Sequence, residues 1–118
     1  MDWIIENDRP IWLQLYEQLT LRIVTGQYPM GNRMPAVREL AAEAGVNPNT
    51  MQRALAHLEE HGLVVTNRTA GRQITEDQEK IQSIRLELAQ KQIEAYLQGM
   101  AFLGFTDAEA KDLLTKKE

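Results

Sequence analysis

Residues 47–54, NPNTMQRA, crowd the side chains of Asn47, Asn49, Thr50, Gln52 and Arg53 into one short stretch. A carboxamide can pair with adenine through two parallel hydrogen bonds, and a guanidinium can pair with guanine in the same way. A threonine hydroxyl beside a helix N-terminus suits phosphate. Two further arginines, Arg68 and Arg72, flank the turn-forming residues of NRTAG, residues 67–71. A different chemistry is spelled by His57-Leu-Glu-Glu60-His61. In some zinc proteases the spacing H-x-x-E-H sets two ligands and a catalytic glutamate on one helix. Here the sequence places no third ligand, and 118 residues leave little chain for a substrate cleft. His61 precedes Gly62, where a cation also suits the end of a helix dipole. No catalytic residue, metal ligand or cofactor is therefore assigned.

Charge separates the remaining possibilities. The net charge of −4 by itself opposes a nucleic-acid partner. The distribution of basic residues points the other way. Every basic side chain before residue 76 is an arginine (Arg9, Arg22, Arg33, Arg38, Arg53, Arg68, Arg72), whereas every lysine lies at position 80 or later. Arginine is preferred where phosphate or guanine is recognised by two parallel bonds. Gln52 and Arg53 could also be a solvated helix face, Arg38 could pair with Glu39 or Glu43, and Arg33, Arg68 and Arg72 could be ordinary surface residues. The chain has no cysteine, which excludes a disulfide framework and a thiolate metal site and fits a reducing, cytoplasmic setting. No apolar run is long enough to span a membrane. MDWIIENDRP has neither the basic start nor the apolar run of a signal peptide.

These groups need elements to hold them. Asp8 is placed to cap a first helix with Pro10 in its first turn. Ile11, Leu15, Leu19 and Ile23 recur along one face of it, up to Gly26. GQYPMGNRMP reads as a turn and an extended piece. A short helix from about Ala36 to Ala44 turns Val37, Leu40 and Ala41 inward and ends at Gly45. Asn47 and Pro48 then start a third helix, which runs to about His61 before Gly62. Met51, Ala54, Leu55 and Leu58 face its core side, which leaves Asn49, Thr50, Gln52, Arg53 and His57 outward. Residues 63–66 and 72–75 form a hairpin. Thr75, with Gln78, reads as the capping box of a 28-residue helix. Its apolar residues Ile81, Ile84, Leu88, Ile93, Tyr96, Leu97 and Met100 spread over more than one face. So short a chain cannot bury them all, and a partner is expected. A second capping box, Thr106 to Glu109, starts a final helix carrying Leu113 and Leu114. Trp3, Ile4 and Ile5 are expected to pack on the C-terminal helices or on a partner subunit.

Helix, extended piece, helix, tight turn, helix and hairpin make a winged helix-turn-helix. The predicted fold is mainly α with a small β-hairpin, followed by two C-terminal helices forming a dimerisation arm. In this motif the second helix of the pair enters the major groove by its N-terminal end. That use accounts for a helix start as polar as NPNTMQRA, and Arg68 and Arg72 would reach flanking backbone or minor groove. An alternative is a winged-helix protein–protein interaction module without DNA binding, which the net negative charge supports.

The segment IWLQLYEQLTLRIVTGQYPMGNRMPAVRELAAEAGVNPNTMQRALAHLEEHGLV resembles the DNA-binding domain of GntR-family bacterial transcription regulators over residues 9–75. P-x-x-R-E-L-A, G-V-N-x-x-T and the G-L after the third helix carry the likeness. The long helix, G-F-T-D-A-E and short helix that follow resemble the small YtrA-type subfamily. The resemblance implies a homodimeric repressor on a double-stranded DNA operator, an inverted repeat. It implies a DNA-binding domain of residues 1–75, with an N-terminal extension 1–8, and a two-helix dimerisation region of residues 76–118. It further implies that Arg38 reaches phosphate or guanine, that Asn47, Asn49, Thr50, Gln52 and Arg53 form the contacting helix start, and that Gly71 is a wing-tip glycine. Ala36 stands where the family often has a capping serine, whose loss costs roughly 1 kcal/mol. The wing, T-A-G-R-Q-I, keeps one of the usual two glycines and no aromatic. No small-molecule effector is identified, because the C-terminal region is too small to enclose a usual ligand pocket alone.

Overall fold

A computed structural model describes residues 2–69 and 71–116; Met1, Ala70, Lys117 and Glu118, which include part of the expected wing tip, lie outside them. The chain divides into two compact units, Met1–Gln82 and Ser83–Glu118, with the division falling inside a long helix.

In the first unit, α1 (Ile11–Val24) and α3 (Pro48–Glu60) pack together, with α2 (Val37–Ala44) against α3. Leu15, Leu19 and Ile23 of α1 meet Leu40 and Ala41 of α2 and Met51, Ala54, Leu55 and Leu58 of α3 in one buried core. Burying each large aliphatic side chain contributes about 1.5–3 kcal/mol, which fixes the angle at which α3 is presented. Strands β1 (Val64–Asn67) and β2 (Gly71–Ile74) pair antiparallel, Val64 opposite Ile74 and Asn67 opposite Gly71. The extended piece before α2 adds to the outer edge of β2. Met34 donates its N–H to Arg72 at 2.8 Å, and Ile74 donates to Asn32 at 2.8 Å, bridging Arg33 to Gln73.

Two local expectations, both of helix starts, are corrected. Pro10, not Asp8, occupies the N-cap of α1, and no side chain caps it. The long helix α4 (Gln78–Phe102) has 25 residues and no Thr75 capping box. Asp77 Oδ1 accepts from the Lys80 N–H at 3.1 Å and so caps α4, while the buried Thr75 Oγ1 accepts from the Asp77 N–H at 3.0 Å. The N-terminal segment has an anchor on α1. Gln18 takes both backbone groups of Ile4, at 3.0 and 2.5 Å, and Gln14 takes both of Glu6, each at 2.7 Å. The Arg22 guanidinium lies 3.8 Å over the Trp3 ring. Two carboxamides one helical turn apart thus pair with alternate residues of an extended strap, as a neighbouring strand would.

In the second unit, α5 (Asp107–Thr115) begins with the expected capping box between Thr106 and Glu109. Tyr96 Oη donates to the Ala110 carbonyl at 2.7 Å and holds α5 to α4. Ile84, Leu88, Tyr96, Leu97 and Met100 are half-buried, Ile93 is exposed, and Ile81 is buried at the end of the first unit. Leu86, Phe102, Leu103 and Leu114 stand exposed, Phe102 to 85%. Among the described residues no helix is long and apolar enough to cross a membrane.

Candidate nucleic-acid interface

The turn before α3 is set by backbone geometry. Gly45 takes φ +71°, a left-handed conformation that side chains disfavour, and the Val46 N–H closes back on Ala41 at 3.0 Å. Asn47 then caps α3, its Oδ1 accepting from the Asn49 N–H at 2.7 Å, and Pro48 occupies the first helical position. That oxygen is engaged in the cap, so Asn47 has its amide donors left for a ligand.

Burial of Met51, Ala54, Leu55 and Leu58 turns the opposite face outward. Asn49, Gln52, Arg53 and Ala56 are exposed and Thr50 is half-buried. Ala56 is a small member of this face that side-chain chemistry alone would not single out. The flanks differ. Gln52 and Glu59 are nearly two turns apart and share one flank, toward the hairpin. Arg53 and His57 are one turn apart and share the other, toward α1. The Arg53 guanidinium lies 4.4 Å over the Trp12 ring. His57 meets Trp12 edge-on at 4.6 Å and 83°, and Tyr16 at 5.3 Å and 81°. The H-x-x-E-H motif is thus part of an aromatic cluster. His61 Nδ1 lies 2.9 Å from the His57 carbonyl oxygen, and no group of three or more metal-binding side chains occurs among the described residues.

The wing is tied to α3 through Glu59. Its Oε1 accepts from Thr66 Oγ1 at 2.8 Å and from Arg72 Nε at 2.6 Å. Burial pushes this carboxyl up, but the bonds from Thr66 and Arg72 and the Arg72 charge outweigh it, and Glu59 sits below its ordinary 4.5. Arg72 is therefore a strut as well as a cation, with its side chain 22% exposed. Arg68 is exposed at the hairpin turn, where Asn67 Oδ1 accepts from the Thr69 N–H at 2.9 Å. Gly71 needs its freedom for conformation: φ is +73°, while an added Cβ would meet nothing nearer than Arg33 Nη2 at 4.0 Å. A groove of about 540 Å³ runs between Gly71 and Arg72 of the wing and Ala36 and Val37 at the start of α2, with Arg33 on its wall. Ala36 caps α2 without any side-chain bond, and Arg38 is exposed in the first turn.

The arginines divide by whether a carboxylate pairs with them. Arg9 pairs with Glu17 at 2.9 Å and Arg72 with Glu59. Among the described residues, Arg33, Arg38, Arg53 and Arg68 have no carboxylate within salt-bridge distance, and the pairing of Arg38 with Glu39 or Glu43 is absent. Four guanidinium groups of an acidic chain thus carry no carboxylate partner among the described residues. The structure brings Gly71 and Arg33 to the start of α2 and joins Arg72 to α3. Trp12 and Glu59 are the contributors that single-residue chemistry missed. Trp12 and Tyr16, one turn apart and off the Leu15–Leu19 stripe, were the available signal for the first.

Comparison with known proteins agrees with this geometry. Residues 12–74 match the protein family described as "Bacterial regulatory proteins, gntR family". The chain is 35% identical over 109 residues to the "Uncharacterized HTH-type transcriptional regulator YhcF" of Bacillus subtilis (strain 168), covering 92% of this chain and 90% of that one. It is 33% identical to the "HTH-type transcriptional repressor YtrA" of the same organism, over 80% and 77% of the two chains. Among solved structures it superposes on a "GntR family transcriptional regulator from Listeria monocytogenes" with a TM-score of 0.85 and 34% identity, covering 97% of this chain and all of the other.

Proposed function

Because the chain belongs to the gntR family of bacterial regulatory proteins, a family of transcriptional regulators and not of enzymes, we propose that it is a homodimeric repressor that reads an inverted-repeat DNA operator in the cytoplasm. The observation that carries this reading is the start of α3. Its inner face is fully buried, and its outer face presents Asn49, Gln52 and Arg53 to solvent. Gln52 and Arg53 would meet base edges, and Asn47, Asn49 and Thr50 would meet phosphate or bases beside them. Arg38 would take backbone phosphate, and Arg68, Gly71 and Arg72 the flanking groove. Residues 1–75 would bind DNA and residues 76–118 would join two copies, covering Ile84, Leu88, Ile93, Tyr96, Leu97 and Met100. Two copies related by two-fold symmetry match two half-sites of an operator. The repressor role is supported by the printed description of the B. subtilis relative YtrA.

The net charge of −4 favours a second reading, a protein–protein module. The four unpaired arginines count against it. Fluorescence anisotropy with a duplex selected from random sequence, compared with its scrambled form across salt concentrations, separates the two. The account predicts preference for the selected duplex and a logarithmic salt slope of about −0.9 per phosphate contact. Failure to select any duplex, or a flat salt response, refutes it.

A further inference from the structure

We propose that Trp12 is a positioning residue for Arg53, holding its guanidinium ready for DNA; this rests on the DNA-reading role given to α3 above. The guanidinium carbon lies 4.4 Å over the indole, and the indole is itself held edge-on by His57 at 4.6 Å. His57 is wedged against Tyr16 in turn. Trp12 and Tyr16 come from α1, which shares a rigid core with α3, so the platform cannot drift relative to the helix it serves. No carboxylate competes for Arg53 among the described residues.

A cation–π contact is a useful hold because it engages the guanidinium on its indole side without a hydrogen-bonding partner, leaving the N–H donors turned away from the ring free. An arginine otherwise loses much rotamer freedom on binding, and pre-setting it moves that loss from binding into folding. Gln52, on the other flank, has no hydrogen bond to the protein among the described residues. The base step facing Arg53 should therefore be specified more strictly than the step facing Gln52. Sparing the ordering cost of one rotamer-rich side chain corresponds to about two- to tenfold in affinity.

The test is a double-mutant cycle in the full chain, using the selected and scrambled duplexes. W12L should weaken the selected duplex about two- to tenfold and leave the scrambled one nearly unchanged, W12F should recover most of the loss, and W12L should add nothing in an R53A background. Equal losses on both duplexes, or the same W12L penalty with and without Arg53, would overturn the proposal while leaving DNA reading intact. If the wild-type chain selects no duplex, the functional reading falls and the proposal with it. Should W12L fail to fold, DNA-free emission decides. In a W3F background, excited at the red edge where tyrosine does not absorb, only Trp12 emits, and R53A should shift its spectrum; an unchanged spectrum overturns the contact.

Discussion

Glu59 on α3 holds Arg72 on the second wing strand, Nε to Oε1, at 2.6 Å. A residue expected to reach toward DNA is thereby also the bolt between wing and recognition helix, and Thr66 shares the same oxygen at 2.8 Å. Glu59 adds a side-chain tie to the backbone bonds that the 32–34 segment makes with β2.

E59Q keeps an acceptor and removes the charge. For a partly exposed pair the expected cost is about 0.5–1 kcal/mol at neutral pH. The sign with pH follows from the lowered carboxyl: its contribution is fully present above the ordinary 4.5 and disappears as pH falls through the lower folded value. Thermal midpoints of wild type and E59Q should differ at pH 7 and converge in acid. A gap that widens in acid contradicts this assignment.

N47A separates holding the helix from reading with it. Loss of the Oδ1 bond to the Asn49 N–H should cost about 1 kcal/mol of stability. Chemical denaturation measures that loss. Base preference at the positions assigned to Gln52 and Arg53 in the proposal should stay as in wild type.

The C-terminal unit carries the prediction for assembly. Ile93 is exposed in the single chain, and its burial in a dimer would contribute about 1.5–3 kcal/mol. I93E should weaken self-association by at least about tenfold in sedimentation equilibrium, with little change in helix content by circular dichroism. An unchanged dimer constant would place the interface elsewhere.

What was legible in the sequence was local. Asn47-Pro48 and Gly62 bracket α3, and the spacing of Met51, Ala54, Leu55 and Leu58 assigns its inner face. The structure agrees on all of these. Misreadings arose where two local rules competed. Asp8 and Pro10 both suit a helix start, as do Thr75 and Asp77, and tertiary context chose the second of each pair. Contacts between side chains on separate elements left no periodic trace. The Arg72–Glu59 tie spans 13 residues, and the bonds from Gln18 to Ile4 span 14. Nor does anything in the composition near Arg53 announce an indole on α1 as its platform.

Q52A and R53A test the central claim most directly, scored for binding across duplexes carrying every base at each half-site position. Each substitution should cost about 1–3 kcal/mol and relax preference at its own base position, leaving the others unchanged. A uniform loss across all duplexes, with every preference retained, would mean that α3 grips the backbone only, and would contradict the reading of sequence by this helix.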